Sequence, residues 1–230
     1  KATIELPCGY YSVTEDKAKE LIEKKLDERN IKYKNLYAYT EKTKLKTKYF
    51  NIEFFRTTHS IPDSHGISIS TPNGVIVMTG DFKFDLTPVG NNSDYQVMAY
   101  MGQIGITLLL SDSTNSGVKD FSISEKEVAK SILDTMKRTQ GRLIISTFAS
   151  NVHRVQQILY AAVQCNRKVC IFGRSMENVV EIGRKLGHIR VPDSTFVEPD
   201  MINTLPADQI CLICTGSQGE PLAALSRIAN

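Results

Sequence analysis

Apolar and polar positions alternate through the first half of this chain and run in blocks through the second. Phe50, Ile52 and Phe54 alternate with polar neighbours, the period of a half-buried strand. Residues 66–70 (GISIS) and 75–79 (VIVMT) are rich in β-branched side chains and are separated by Thr71-Pro72-Asn73-Gly74. Asn73-Gly74 tolerates the positive φ of a tight turn, so the pattern predicts a hairpin. Turning there brings Asp81 back opposite roughly Gly66, beside the loop that carries His59. A strand reading Val-Ile-Val-Met is expected to be buried, so Asp81 should leave a dry sheet edge and enter a cleft. Residues 106–110 form a second short apolar run, which delivers Asp112 to its end. Between them, residues 87–102 contain Pro, Gly, Asn and Ser and read as an irregular surface loop. Upstream, Ala18, Leu21, Ile22 and Leu26 share one face of an expected amphipathic helix over residues 10–30. Lys42, Lys44, Lys46 and Lys48 recur at every second residue, which lines one face of a strand with ammonium groups. The simpler reading is an edge strand kept from aggregating; the sharper one is a stripe that tracks phosphates.

A different rhythm begins near Ser122. Ser124-Glu125-Lys126-Glu127 opens a helix predicted to reach about Thr139. Three strand–turn–helix units follow: 142–147 into 151–165, 168–172 into 176–186, and 209–215 into 219–229. Apolar strands alternating with amphipathic helices predict an α/β fold with a parallel, doubly wound sheet. The boundary is expected near Gly117, giving domains over 1–117 and 118–230.

Composition narrows this little. The 230 residues are 41% hydrophobic and 23% charged, with a formal charge of +3, which permits an anionic polymer as partner without demanding one. No apolar run approaches the roughly 20 residues of a membrane span, so no membrane partner is expected. No signal-peptide pattern follows Lys1, and the absence of an initial Met makes the chain read as a piece of a longer protein. Five cysteines are an odd number for a disulfide framework and favour a reducing, cytoplasmic setting. Cys211-Leu212-Ile213-Cys214 has the C-x-x-C form, but positions three apart on a strand face opposite sides and cannot share a metal. No G-x-x-x-x-G-K-[ST] loop occurs, so nothing supports an ATP-driven activity.

Two constellations carry chemistry. An imidazole (His59) and two carboxylates (Asp63, Asp81) gather at the open end of the hairpin; this is either a capped loop with an ordinary histidine or part of a divalent metal site. In the second half, three strands leave through Ser150-Asn151, Gly173-Arg174-Ser175 and Gly216-Ser217-Gln218-Gly219. In a parallel sheet such turns share one edge, where helix N-termini present free N–H groups to phosphates. Ser150, Asn151, Arg174, Ser175 and Ser217 are the candidate phosphate contacts, with Arg174 a bidentate donor. His153, on the helix after Ser150-Asn151, is a candidate contact at that edge or a plain helix residue; His65 and His188 read as structural.

Thr58-His59-Ser60-Ile61-Pro62-Asp63, with Thr79-Gly80-Asp81-Phe82-Lys83-Phe84-Asp85, resembles the second half of a metallo-β-lactamase αββα nuclease core, and more narrowly the ribonuclease J family of the β-CASP group. Leu110-Ser111-Asp112-Ser113-Thr114-Asn115 is similar to the acidic motif that closes the lactamase part of that family. The resemblance continues through Thr147-Phe148-Ala149-Ser150-Asn151, Phe172-Gly173-Arg174-Ser175-Met176 and Cys214-Thr215-Gly216-Ser217-Gln218-Gly219-Glu220-Pro221. It implies a partial lactamase core over 1–117 followed by a partial β-CASP domain. It also implies that His59 and Asp81 are metal ligands, that Asp81 and Asp112 act in catalysis, and that the second half guides RNA towards two zinc ions. The implied activity is hydrolysis of RNA phosphodiester bonds, 5′-to-3′ and internal, by a cytoplasmic protein that forms homo-oligomers or pairs with a paralogous subunit. The family's H-x-H-x-D-H motif has no counterpart here, so this piece alone is expected to hold metal weakly and to leave RNA uncut. Two other readings stay open: a non-catalytic RNA-binding or assembly subunit, and a small-ester metallo-hydrolase.

Overall fold

The hairpin turns one residue earlier than Asn-Gly chemistry suggests. In this computed structural model, which describes residues 26, 27, 29–32, 39–217, 224 and 225, Thr71 pairs with Gly74 and the two-residue loop is Pro72-Asn73. Gly74, at φ +131°, is the residue that takes the unusual backbone angle, and Thr71 Oγ1 donates to its carbonyl (3.0 Å). The expected amphipathic helix over 10–30 and the helix over 219–229 fall almost wholly outside the described residues.

The chain divides into two units, Lys1–Ser122 and Ile123–Asn230. The first holds a five-stranded sheet in the order β1 (Lys44–Lys46), β2 (Asn51–Arg56), β3 (His65–Thr71), β4 (Gly74–Met78), β5 (Leu108–Leu110). Its first four strands are antiparallel neighbours and β5 runs parallel to β4. Phe55, Val77 and Met101 form its buried centre, with Val75 and Met98 against them. Gly66 is required there, because a Cβ at that position would overlap the Phe55 ring.

Two expectations are corrected in this unit. Residues 87–102 are not all loop: Tyr95–Ile104 is a helix, α1, whose Met98 and Met101 pack on the sheet. Its termini carry no acidic or basic residues and Asp94 makes no side-chain cap, so the helix exists because the sheet covers its methionines rather than through local signals. The β4 strand is also wetter than its letters imply: only Val77 is buried and Met78 is exposed. Asp81 accordingly leaves a partly solvated edge, its side chain 44% exposed.

In the second unit the regular elements are α2 (Glu125–Arg138), β6 (Leu143–Ser146), α3 (Val152–Gln164), β7 (Lys168–Phe172), α4 (Arg174–Lys185) and β8 (Ile210–Cys214). The sheet is parallel, ordered β6-β8-β7, and all five residues of β8 are buried. Ser124 caps α2 by accepting from the Lys126 N–H, Glu125 and Glu127 follow in the first turn, and Lys137 and Arg138 close the last, each charge matched to the helix dipole. Arg154 on α3 grips Glu125 through both carboxylate oxygens (2.8 and 3.0 Å), and Gln157 donates to the Glu125 carbonyl (3.1 Å), which locks α3 against the start of α2. Buried Arg167 donates to the carbonyls of Met136, Thr139, Gly141 and Ile210, collecting the carboxyl end of α2 and the start of β8 around one guanidinium. Cys165, Cys170, Cys211 and Cys214 are free thiols. Among the described residues no helix is long and apolar enough to cross a membrane.

Candidate metal and phosphate sites

His59 lies in a loop that the fold pins at both ends. At its start, the Thr57 N–H donates to the Ser64 carbonyl (2.9 Å) and the Thr57 hydroxyl to Ser64 Oγ (3.0 Å), closing the loop on itself. The Thr58 N–H donates to Ser93 Oγ (2.8 Å), the two hydroxyls lie 2.9 Å apart, and the Lys83 N–H donates to the Thr58 carbonyl (2.7 Å). Two residues before Thr58, the Arg56 N–H donates to Asp94 Oδ2 (2.7 Å) and the Asp94 N–H returns to the Arg56 carbonyl (2.9 Å). Ser93 and Asp94 immediately precede α1, so the helix that packs on the sheet also fixes the backbone beside His59. The sequence reading missed both residues. Asp94, ahead of methionines at helical spacing, was the available signal.

At the far end of the loop Asp63 sits in the left-handed region at φ 56°, and its carbonyl accepts from His65 Nδ1 (2.7 Å). A carbonyl only accepts, so this bond fixes the proton on Nδ1. The His65 side chain is 5% exposed, which agrees with a structural role. Asp63 therefore contributes a backbone group here, while its carboxylate has no described part in the site.

The register of the hairpin continues past its last pair, Ile67 with Met78, to bring Asp81 level with Ser64, two residues from the expected Gly66. Ser64 Oγ donates to the Asp81 carbonyl (3.3 Å). The result is that His59 Nε2 stands 3.7 Å from Asp81 Oδ2, both groups partly open to solvent. Asp112 follows β5 as the spacing suggests. Its N–H donates to Thr79 Oγ1 (3.0 Å), and its Oδ1 accepts from the Thr114 N–H (2.8 Å) and hydroxyl (2.7 Å). Those Thr114 bonds, the Phe82 N–H and the nearby His59 hold the Asp112 carboxyl below the usual carboxylate range. Asp81 and Asp112 thus follow the neighbouring strands β4 and β5, and His59 faces Asp81.

An imidazole nitrogen facing a carboxylate oxygen is, with the nitrogen unprotonated, a donor set suited to zinc or another borderline divalent ion. It comprises two of the roughly three protein ligands that a catalytic zinc takes. Among the described residues no group of three His, Cys, Asp or Glu side chains is placed to hold an ion. Cys211 and Cys214 add nothing to it: both are buried on β8, and burial pushes the Cys211 thiol up to about 12.

In the second unit the parallel register places Ser146, Cys214 and Phe172 side by side, so the turns after β6, β8 and β7 leave one edge of the sheet. Ser150 and Ser217 are exposed, as are Arg174 and Ser175 in the first turn of α4. Asn151 is the N-cap of α3, its Oδ1 accepting from the Arg154 N–H (3.0 Å), so its amide NH2 is the part left for a ligand. Gly173, at φ +101°, packs where a Cβ would press on Ala224 at 3.3 Å and lie 3.7 Å from Thr215 Oγ1, which brings the turns after β7 and β8 together. His153 is half-buried on α3 and His188 follows α4.

Residues 140–230 match the family model described as "Ribonuclease J, beta-CASP domain". The chain is 49% identical over 211 residues to Ribonuclease J 1 of Streptococcus pyogenes serotype M3, covering 91% of this chain and 38% of that protein. It is 43% identical over 208 residues to Ribonuclease J2 of Bacillus subtilis, covering 90% and 36%, and 42% identical over 213 residues to Ribonuclease J of Helicobacter pylori strain 26695, covering 91% and 31%. The chain therefore spans less than two-fifths of the length of these relatives. Among solved structures, a protein of unknown function from Enterococcus faecalis V583 shares the fold, with a TM-score of 0.60 at 14% identity over 83% of this chain and 47% of that one.

Proposed function

We propose, on the premise that this chain carries a β-CASP domain of ribonuclease J and is homologous to such proteins over most of its length, that it is part of a metal-dependent ribonuclease. Its first unit would supply one side of the metal centre and its second a phosphate-binding edge. The observation that carries the reading is the facing pair His59 Nε2 and Asp81 Oδ2, 3.7 Å apart, with the histidine on a loop braced from both ends. The two side chains would hold a divalent ion, zinc on donor chemistry. When bound, that ion supplies Lewis acidity towards a phosphodiester and a water of lowered pKa. Two ions, as the resemblance implies, need donors beyond those described here.

The chain's own residues do the positioning. Ser93 and Lys83 hold Thr58, so the imidazole of His59 is presented without a loop rearrangement, and preorganisation of this kind lowers the cost of capturing a ligand. Asp112, kept ionised by Thr114 and Phe82, puts a second negative charge beside His59, which favours a cation there. On the second unit, Arg174, Ser175 and the first N–H groups of α4 would bind phosphate oxygens of an RNA strand. Free thiols at Cys165, Cys170, Cys211 and Cys214 support a reducing cytoplasmic setting. The exposed leucines of β5 support assembly with further protein, either the same chain or a related subunit.

Calorimetric titration with zinc tests this. The chain alone is expected to bind zinc weakly, and His59→Asn or Asp81→Asn should each abolish the heat. Binding unaffected by either change would remove the metal assignment. Tight uptake of two ions by this chain alone would overturn the expectation that it is an incomplete site.

A further inference from the structure

The lysine stripe has a structure that edge protection does not explain. Residues 42–51 (KTKLKTKYFN) hold four lysines and no acid. They form β1, a two-residue turn and the start of β2: the Thr47 N–H donates to the Phe50 carbonyl (2.8 Å), and Thr47 Oγ1 accepts from the Tyr49 and Phe50 N–H groups (3.3 and 2.9 Å). Lys48 and Tyr49 therefore occupy the tip of a tight hairpin, with the Lys48 ammonium 5.1 Å from the Tyr49 ring centre. All of β1 and the turn is exposed, so among the described residues this is a ribbon at the edge of the sheet.

Lysines alone would keep such an edge from pairing with another chain. The aromatics work against that purpose. Tyr49 is 59% exposed and Phe50 46%, their rings in edge contact. Two adjacent exposed rings among ammonium groups are costly on a surface meant only to stay in water. Lys44 is neutralised by Glu53 (2.6 Å), whereas among the described residues Lys42, Lys46 and Lys48 pair with no carboxylate. Unspent positive charge interleaved with flat apolar faces is what a single strand of nucleic acid meets with its phosphates and its bases.

We propose that the β1–β2 ribbon is a docking surface for single-stranded RNA, with Lys42, Lys46 and Lys48 on phosphates and Tyr49 and Phe50 stacking on bases. This rests on the reading that the chain acts on RNA, and it adds a contact that neither the metal pair nor the phosphate edge includes. β2 runs from the ribbon to the His59 loop, and its six residues at about 3.3 Å each separate the two by roughly 20 Å. The ribbon would hold an RNA segment several nucleotides away from the reacting bond.

Fluorescence anisotropy with a labelled 12-nucleotide oligouridylate, in EDTA and at several salt concentrations, tests the ribbon. Lys46→Gln with Lys48→Gln should weaken binding at least ~10-fold in low salt and flatten the plot of log affinity against log salt by about 1.4, the change expected for two lost phosphate contacts. Tyr49→Ala with Phe50→Ala should weaken binding about tenfold and leave that slope unchanged. Both pairs are exposed, and unchanged melting curves would show the fold intact. If neither pair alters the affinity while Arg174→Glu removes it, the strand lies on the second unit's edge and the ribbon proposal falls, with the nuclease reading untouched. If phosphatidylglycerol vesicles bind the ribbon as tightly as RNA, the surface belongs to a membrane and the proposal also falls. If the ribbon binds RNA but zinc uptake ignores His59 and Asp81, the ribbon stands and the metal centre does not.

Discussion

β5 and β8 are short apolar strands, each paired in parallel with its neighbours, yet they live in opposite surroundings. Leu108, Leu109 and Leu110 are 46, 55 and 46% exposed, whereas every residue of Ile210–Cys214 is buried. The difference lies in position. β8 is the middle strand of its sheet and packs with Cys170, Ile202 and surrounding apolar side chains, while among the described residues β5 has a single strand beside it. Three leucines in a row show that a segment is suited to burial; they do not show what buries it. Among the described residues, the second sheet has a central strand buried throughout and the first has an edge strand still able to accept more protein.

Truncation is the strongest way to break that contrast. Ile213→Ala should cost ~4 kcal/mol by urea unfolding, since the side chain is fully enclosed, while Leu109→Ala should cost less than ~1 kcal/mol. Equal losses would mean that β5 is covered as fully as β8. Next in size is Arg167→Ala, at about 3 kcal/mol, because it strands carbonyls of α2 and β8 in a buried place; Arg167→Lys should recover little, having no fork to reach four acceptors. A recovery close to wild type would show that charge rather than geometry is what β8 needs.

The smallest effect is one of pH. Burial lifts the Cys211 thiol from its ordinary 9.0 to about 12, and likewise Cys170 to about 11. Above pH 9 the unfolded chain gives up these protons and the native chain keeps them, so stability should fall as pH rises from about 9 towards 12, with no effect at neutral pH. Melting temperatures at pH 8 and 10.5 check this: wild type should lose more across the interval than Cys211→Ala. An identical drop would mean that β8 opens to solvent in alkali.

Much of this arrangement is legible in the letters because it is local. Period-two alternation marks β2 to β4, the lysine stripe marks an edge, and Ser124 with its acidic first turn marks α2. The pairing of His59 with Asp81 followed from hairpin logic even though the loop is Pro72-Asn73 and the register differs by two residues, because both lie just beyond the same ladder. What escaped is what depends on distant partners. Helix α1 carries no terminal signals and is stabilised by packing on Phe55 and Val77; the hydroxyl pair Thr58 and Ser93 joins residues 35 apart, and no spacing rule announces such a contact. Burial of β4 was overestimated for the same reason, since an apolar strand is only as dry as the elements laid over it.

The strand order β6-β8-β7 has a consequence for how the second unit is made. Its central strand is the last of the three to leave a ribosome, so β6 and β7 emerge with no mate and must wait for residues 210–214 before either ladder closes. Until then two apolar strands stand open to any passing chain. A nascent protein halted before Gln209 would carry α2, α3 and α4 and still lack the strand that joins β6 to β7. Synthesis rate and chaperone access over that interval should govern the yield of folded protein more than any single contact in the finished molecule.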